Sequence, residues 1–176
     1  MVIVVVLIIS LILNLCFHFF LKVENENTEN NMRIRGLAAY GDYIDDIEYF
    51  FNEYLGTRNG SLIGNEAMWL AYGAESAADV CRQGSNEDVY NQLYNTAQAL
   101  FDFGYNSRVG LVINDTSLHT VVSSLNEIWQ EFAGLEVVKD TNPLDYITRA
   151  HGANTIETII DNCHIVQNTL SPNSHF

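Results

Sequence analysis

The sequence predicts an α/β fold in which a β-hairpin at a sheet edge packs beside a buried strand and flanking helices. Residues 108–113 and 117–122 are two β-rich runs, and the turn between them at 114–116 has the Asn-Asp composition typical of a hairpin. Residues 67–72 form a short apolar run with the length of a buried strand, although its pattern fits a buried helix equally well.

A second interpretation stays open for the latter part of this region. Apolar residues also recur at helical spacing across residues 118–132, which fits one long helix. We favour a strand first, with any helix beginning near Asn126, because residues 120–122 are β-branched and stiff at χ1. If the long helix forms instead, the fold class becomes an all-α bundle.

Other segments show the three- and four-residue spacing of amphipathic helices. The first lies within residues 36–64 and ends in a turn. The second opens at Ser85 in capping-box style and ends at Gly104, and the third spans residues 156–170. A short helix is also predicted over residues 143–150, after an Asn-Pro start signal.

Residues 1–22 are hydrophobic, and their uncharged core is long enough to cross a bilayer as a helix. Two interpretations stay open, a signal peptide without a clear cleavage site and a transmembrane anchor interrupted by polar residues. Either one predicts a body that is secreted or membrane-anchored, outside the cytoplasm. A polar linker follows over residues 23–35, and residues 173–176 form a tail.

The composition predicts a folded body with an acidic surface. The chain has 176 residues, 48% of them hydrophobic, and a net charge of −14. Such a charge repels phosphate backbones, so nucleic acid is excluded as a partner. The simplest role of the acidic residues is to keep the domain soluble.

Three cysteines and two sequons bear on export. Cys16 lies in the hydrophobic leader, which leaves Cys81 and Cys163 as a pair that we predict to form a disulfide in an oxidising compartment. Asn59 and Asn114 each begin an Asn-x-Ser/Thr sequon, and we predict both as glycosylation sites.

Several segments resemble parts of the von Willebrand factor type A domain. Residues 106–112, which include Arg-Val-Gly-Leu-Val, resemble its edge-hairpin strand, and residues 120–125 resemble its returning strand. Residues 68–76 fall where that family carries its first strand and its Asp-x-Ser-x-Ser metal loop, and residues 151–155 are similar to a Gly-Gly-Thr-like turn. Residues 65–172 therefore resemble a divergent, partial type A domain of the kind found in secreted nematode proteins.

The resemblance implies a doubly wound α/β fold with a divalent ion held by hard oxygen ligands. Tyr72 replaces the aspartate of the metal loop and Ala74 replaces its first serine, so only Ser76 is kept. Asn154 and Thr155 match the later turn. The resemblance therefore implies a binding surface at Ser76, Asn154 and Thr155 that holds no metal.

No catalytic motif is present: the sequence has no phosphate-binding glycine loop, nucleophile elbow or His-Glu-x-x-His pattern. We therefore predict a protein that is not an enzyme and needs no cofactor. The predicted function is a metal-independent module for protein interaction or adhesion outside the cytoplasm, with a protein partner. The alternative is a secreted all-α domain that binds a small apolar ligand among its aromatic side chains.

Overall fold

The computed structural model describes residues 10–25, 41, 44, 49, 59–82, 86–110, 113–133, 148–149, 152 and 154–171. Of these residues 91% are helical, and none is in a strand. The predicted α/β fold with a β-hairpin edge is therefore wrong, and the open alternative of an all-α bundle fits. The chain divides into two compact units, Met1–Met32 and Arg33–Phe176.

The first unit contains helix α1, which is described over residues 10–25. Its apolar side chains are largely exposed, and the Asn14 amide donates to the Ser10 carbonyl oxygen at 2.8 Å. The prediction of a transmembrane segment is corrected here. Among the residues that the structure describes, no helix has both the length and the hydropathy needed to span a membrane.

Four helices build the second unit: α2 (Gly60–Arg82), α3 (Glu87–Arg108), α4 (Asp115–Phe132) and α5 (Thr155–Leu170). Helix α2 packs along α3, α3 packs on α5, and α5 packs on α4. Apolar side chains of all four helices form one core, in which Phe132 is the largest fully buried side chain. The last predicted helix is confirmed by α5.

Where the hairpin was predicted, the described residues include the end of α3 and the first part of α4. Helix α3 runs through Gly104 to Arg108, and α4 begins directly after Asn114. The side chain of Asn114 accepts a hydrogen bond from the Ser117 amide at 2.8 Å, which satisfies a free donor at the helix start. The cap and a buried stripe on one helix face outweigh the modest helix penalty of β-branched residues. The stripe consists of Leu118, Val121, Val122, Leu125, Ile128 and Phe132.

The apolar run 67–72, predicted as a buried strand, lies within α2. Helix α2 meets α3 through small residues, so that the two backbones approach closely. A Cβ atom on Gly64 would lie 2.6 Å from the Gly104 carbonyl oxygen, and one on Gly104 would lie 2.7 Å from the Gly64 carbonyl oxygen. Gly60 faces the Ser107 carbonyl in the same way. The prediction that Gly104 ends its helix is therefore wrong, because this glycine continues α3 through a close crossing.

The predicted helix within residues 36–64 lies mostly outside the described residues. Its described positions, Gly41, Ile44 and Tyr49, are all helical. Ile44 is 1% exposed and belongs to the core, and Gly41 lies against the Trp129 ring of α4, where a Cβ would clash. Of the short helix predicted over 143–150, residues 148 and 149 are described and helical.

A partly buried polar network joins α3 to α5. The Gln167 side-chain amide donates to the Gln92 carbonyl oxygen at 3.0 Å and to the Thr96 hydroxyl at 3.1 Å. Thr96 is fully buried, and its hydroxyl donates to the Gln92 carbonyl oxygen at 2.8 Å. Because buried polar groups need partners, this network favours one register of α5 against α3.

The asparagine cap of α4 offers a direct test of what starts that helix. Asn114→Ala is expected to lower the free energy of unfolding by about 1 kcal/mol, because the amide of Ser117 loses its acceptor. Urea denaturation followed by circular dichroism measures the change. Asn154→Ala is the matched control, since Asn154 precedes α5 without making a side-chain cap. Equal losses in the two variants would contradict the capping role.

Candidate functional site

Six aromatic side chains lie along the outer side of the α2–α3 pair, and we call this surface the aromatic face. On α3 its members are spaced by four, seven and four residues, a spacing that keeps them on one side of the helix. On α2 its two members are three residues apart. The aromatic face consists of Trp69, Tyr72, Tyr90, Tyr94, Phe101 and Tyr105.

Several rings of this face contact one another, within each helix and, for one pair, between the two helices. Tyr72 meets Phe101 edge to face with 5.0 Å between ring centroids, and Trp69 lies 5.9 Å from Tyr72. Tyr90 and Tyr94 stack at 6.1 Å. Trp69 and Tyr72 are each 50% exposed, and Tyr105 is 68% exposed. Tyr94 is also exposed, whereas Tyr90 and Phe101 are partly buried against the core. Single exposed aromatic residues are ordinary, but four on one surface are typical of a binding site.

The polar groups at the two ends of this face fix its boundaries. At one end the Arg82 guanidinium lies over the Tyr90 ring, 5.5 Å from its centroid, in a cation–π contact. Arg82 and Tyr90 also line a polar cleft together with Glu87 and Asn91. At the other end Arg108 of α3 donates to the Asn65 side chain of α2.

The paired cysteines predicted from the sequence, Cys81 and Cys163, both lie fully buried in the core and carry free thiols. Burial raises the pKa of Cys81, and the neighbouring charge of Cys163 raises it further. Burial also raises the pKa of Cys163, to about 11, although a hydrogen bond with Thr96 opposes the shift. Such thiols stay protonated near neutral pH and are poor nucleophiles. Their pairing in a disulfide stays a prediction.

The binding residues implied by the type A resemblance lie on two helices. The Ser76 hydroxyl, in the middle of α2, donates to the Tyr72 carbonyl oxygen at 2.9 Å. Asn154 and Thr155 lie at the start of α5, where Thr155 is buried and its hydroxyl has no hydrogen-bond partner among the described residues. Ser76 thus belongs to a continuous helix, and not to the loop after a strand that the resemblance implied.

The two predicted glycosylation residues occupy equivalent positions at helix starts. Asn59 is exposed and accepts hydrogen bonds from the Ser61 and Leu62 amides, at 3.1 and 3.3 Å. Asn114 is also exposed and caps α4 in the same manner. Both asparagines thus have a structural role, and their glycosylation stays a prediction.

Within the described part of the chain, no group of three or more His, Cys, Asp and Glu side chains converges in a way that suits a metal ion.

Sequence reasoning missed the aromatic face. The spacing of Tyr90, Tyr94, Phe101 and Tyr105 is present in the sequence, but helical spacing also places Phe101 in the inner stripe of α3. Phe101 packs against the core and is only partly buried. Trp69 and Tyr72 belong to this surface only because α2 pairs with α3. The predicted strand over residues 67–72 left no α2 helix to form that pair.

Comparisons with protein families, with curated proteins and with solved structures find no match to this chain. The resemblance to the von Willebrand factor type A domain therefore rests on the sequence segments alone. No strand is found among the described residues, so the α/β sheet that this resemblance implied is wrong, and no family match supports a type A domain or adhesion.

Proposed function

We propose that this chain is an extracytoplasmic, non-catalytic domain that binds a small apolar or aromatic molecule on its aromatic face. The observation that carries the proposal is the ring cluster of exposed Trp69 and Tyr72 with partly buried Phe101, continued by exposed Tyr105 one helical turn further along α3. Keeping such large apolar rings in water is costly, and a ligand that covers them recovers this free energy.

The placement outside the cytoplasm is supported by the sequence. The hydrophobic leader is of the export type, and both sequon asparagines are exposed on the surface, where glycosylation of an exported protein takes place. The absence of catalytic motifs supports binding over chemistry. The buried thiols are unsuited to nucleophilic attack, because their pKa values are raised.

The test is a titration of the full chain with Nile red, a neutral apolar dye whose fluorescence rises in an apolar site. Trp69→Ala and Tyr105→Ala are each expected to weaken dye binding by roughly tenfold, because each removes a large exposed ring from the site. Circular dichroism checks that the variants keep their helical content.

Two matched controls separate the aromatic face from other apolar surface. Ile165→Ala removes an exposed apolar side chain from α5, and Phe19→Ala removes one from α1. Neither change should alter the affinity that depends on Trp69. If the dye binds equally well to the Trp69 and Tyr105 variants, or if Phe19→Ala alone abolishes binding, the aromatic face is not the site.

A further inference from the structure

We infer that the ligand of the aromatic face is a cation with an apolar body, such as an amine or a quaternary ammonium compound. This inference rests on the proposed function and specifies its ligand. The observation behind it is the juxtaposition of electron-rich rings with two carboxylates on the same side of the α2–α3 pair.

The carboxylates are placed by helical spacing. Glu75 and Asp79 follow Tyr72 by three and seven residues, so they continue the same side of α2. Both are partly exposed. The negative charges thus begin where the α2 part of the aromatic face ends.

The register between the helices sets these carboxylates beside the tyrosines of α3. Tyr72 of α2 contacts Phe101 of α3. Arg82, ten residues after Tyr72, contacts Tyr90, which lies eleven residues before Phe101. The two helices are therefore antiparallel here, and the segment of α2 that holds Glu75 and Asp79 runs alongside the segment of α3 that holds Tyr94. A cation at this position is close to both rings and carboxylates.

The chain itself shows that a ring of this face accepts a cation. The Arg82 guanidinium lies over Tyr90, 5.5 Å from the ring centroid. The rings of tyrosine and tryptophan carry negative charge on their faces, which attracts cations. The net charge of −14 adds a long-range attraction for cations and repels anions.

The experiment compares three probes that share one phenyl ring, with the full chain at low ionic strength: benzyltrimethylammonium, benzyl alcohol and benzenesulfonate. Binding is followed by the quenching of tryptophan fluorescence and by NMR shifts of backbone amides in α2 and α3. We expect the cation to bind roughly tenfold more tightly than the neutral alcohol, and the sulfonate to bind most weakly.

Two double variants change the net charge by the same amount. Comparing them separates the attraction by Glu75 and Asp79 from the attraction by the net charge of the whole chain. Glu75→Gln/Asp79→Asn should lower the affinity for the cation by roughly fivefold and leave that for benzyl alcohol unchanged. Glu157→Gln/Asp161→Asn removes two exposed carboxylates from α5, so it should lower the affinity for the cation far less and leave that for benzyl alcohol unchanged.

The outcomes distinguish this inference from the proposed function. If benzyl alcohol and the cation bind equally well at the aromatic face, the inference is overturned while the proposed function stands. Equal effects of the two double variants would also overturn it, because the attraction would then come from net charge. If none of the three probes binds but Nile red does, the inference is overturned while the proposed function stands. If Nile red also fails to bind, both fail.

Discussion

Gly104→Ala is expected to lower the free energy of unfolding by about 2–4 kcal/mol, although alanine is the better helix former by about 1 kcal/mol. The new Cβ would lie 2.7 Å from the Gly64 carbonyl oxygen and 2.8 Å from Cγ of Met68. The carbonyl belongs to the backbone of α2, which yields only if the two helices move apart. Separation would in turn loosen the packing of the small residues along α2. Urea denaturation of the full chain measures the loss.

The control for this prediction is Ser61→Ala, a small substitution at an exposed position of α2. It should change stability by no more than about 0.5 kcal/mol. Gly64→Ala should cost a similar amount to Gly104→Ala, and the double variant should cost less than the sum, because both changes open the same contact. A Gly104→Ala variant as stable as the natural chain would show that the helices are not in close contact there.

The second large effect is a loss of stability in alkaline solution. The free energy of unfolding is expected to fall by about 1.4 kcal/mol per pH unit for each buried thiol, starting near pH 9. The folded chain holds the pKa of Cys163 at about 11 and raises that of Cys81, so the unfolded chain loses these protons at a lower pH. The stability from each protonated thiol is complete below the pKa of the unfolded chain. It is lost as the pH rises through the folded pKa.

This dependence is measured by urea denaturation between pH 7 and pH 11, with a phosphine reductant that keeps the cysteines as thiols. The Cys81→Ala/Cys163→Ala variant has neither thiol to titrate. Its free energy of unfolding should therefore fall less steeply with pH above pH 9 than that of the natural chain. Identical slopes would mean that the thiols are not buried in the folded chain. The same titration without reductant tests the predicted disulfide, since a Cys81–Cys163 bond removes both titrations.

The sequence was most reliable where large apolar residues recur at helical spacing. The stripe of α5 is confirmed with its buried members Ile159, Cys163, Val166 and Leu170. The start and inner stripe of α3 are also confirmed, although Asn86 provides the cap in place of Ser85. In these segments the local pattern and the tertiary packing favour the same structure.

The errors lie either where two local rules disagree or where the local pattern carries little signal. In residues 117–122 the β-branched side chains favour a strand, while the Asn114 cap and the wider stripe favour the helix that forms. In α2 the inner face is made mostly of alanine and glycine, which carry little periodic signal. The role of those small residues, which is to let the two backbones approach, is seen only in their contacts with Gly104 and Ser107 of α3. No local pattern predicts these contacts.

The candidate site was less predictable than the fold. One part of the site, the spacing of the four rings on α3, is a local feature that the sequence shows directly. The other part, the position of Trp69 and Tyr72 beside Phe101, depends on how two helices pair. Helix pairing is a tertiary property, and a single sequence records it only indirectly.

The close pairing of α2 with α3 also has a consequence for the order of folding. The helices are consecutive in the chain, and the connection between them is short, so little entropy is lost when they associate. Contacts between neighbouring segments form faster than contacts between distant ones. During synthesis the helical pair α2–α3 can assemble before α4 and α5 have left the ribosome. It then offers these later helices a preformed surface to pack against.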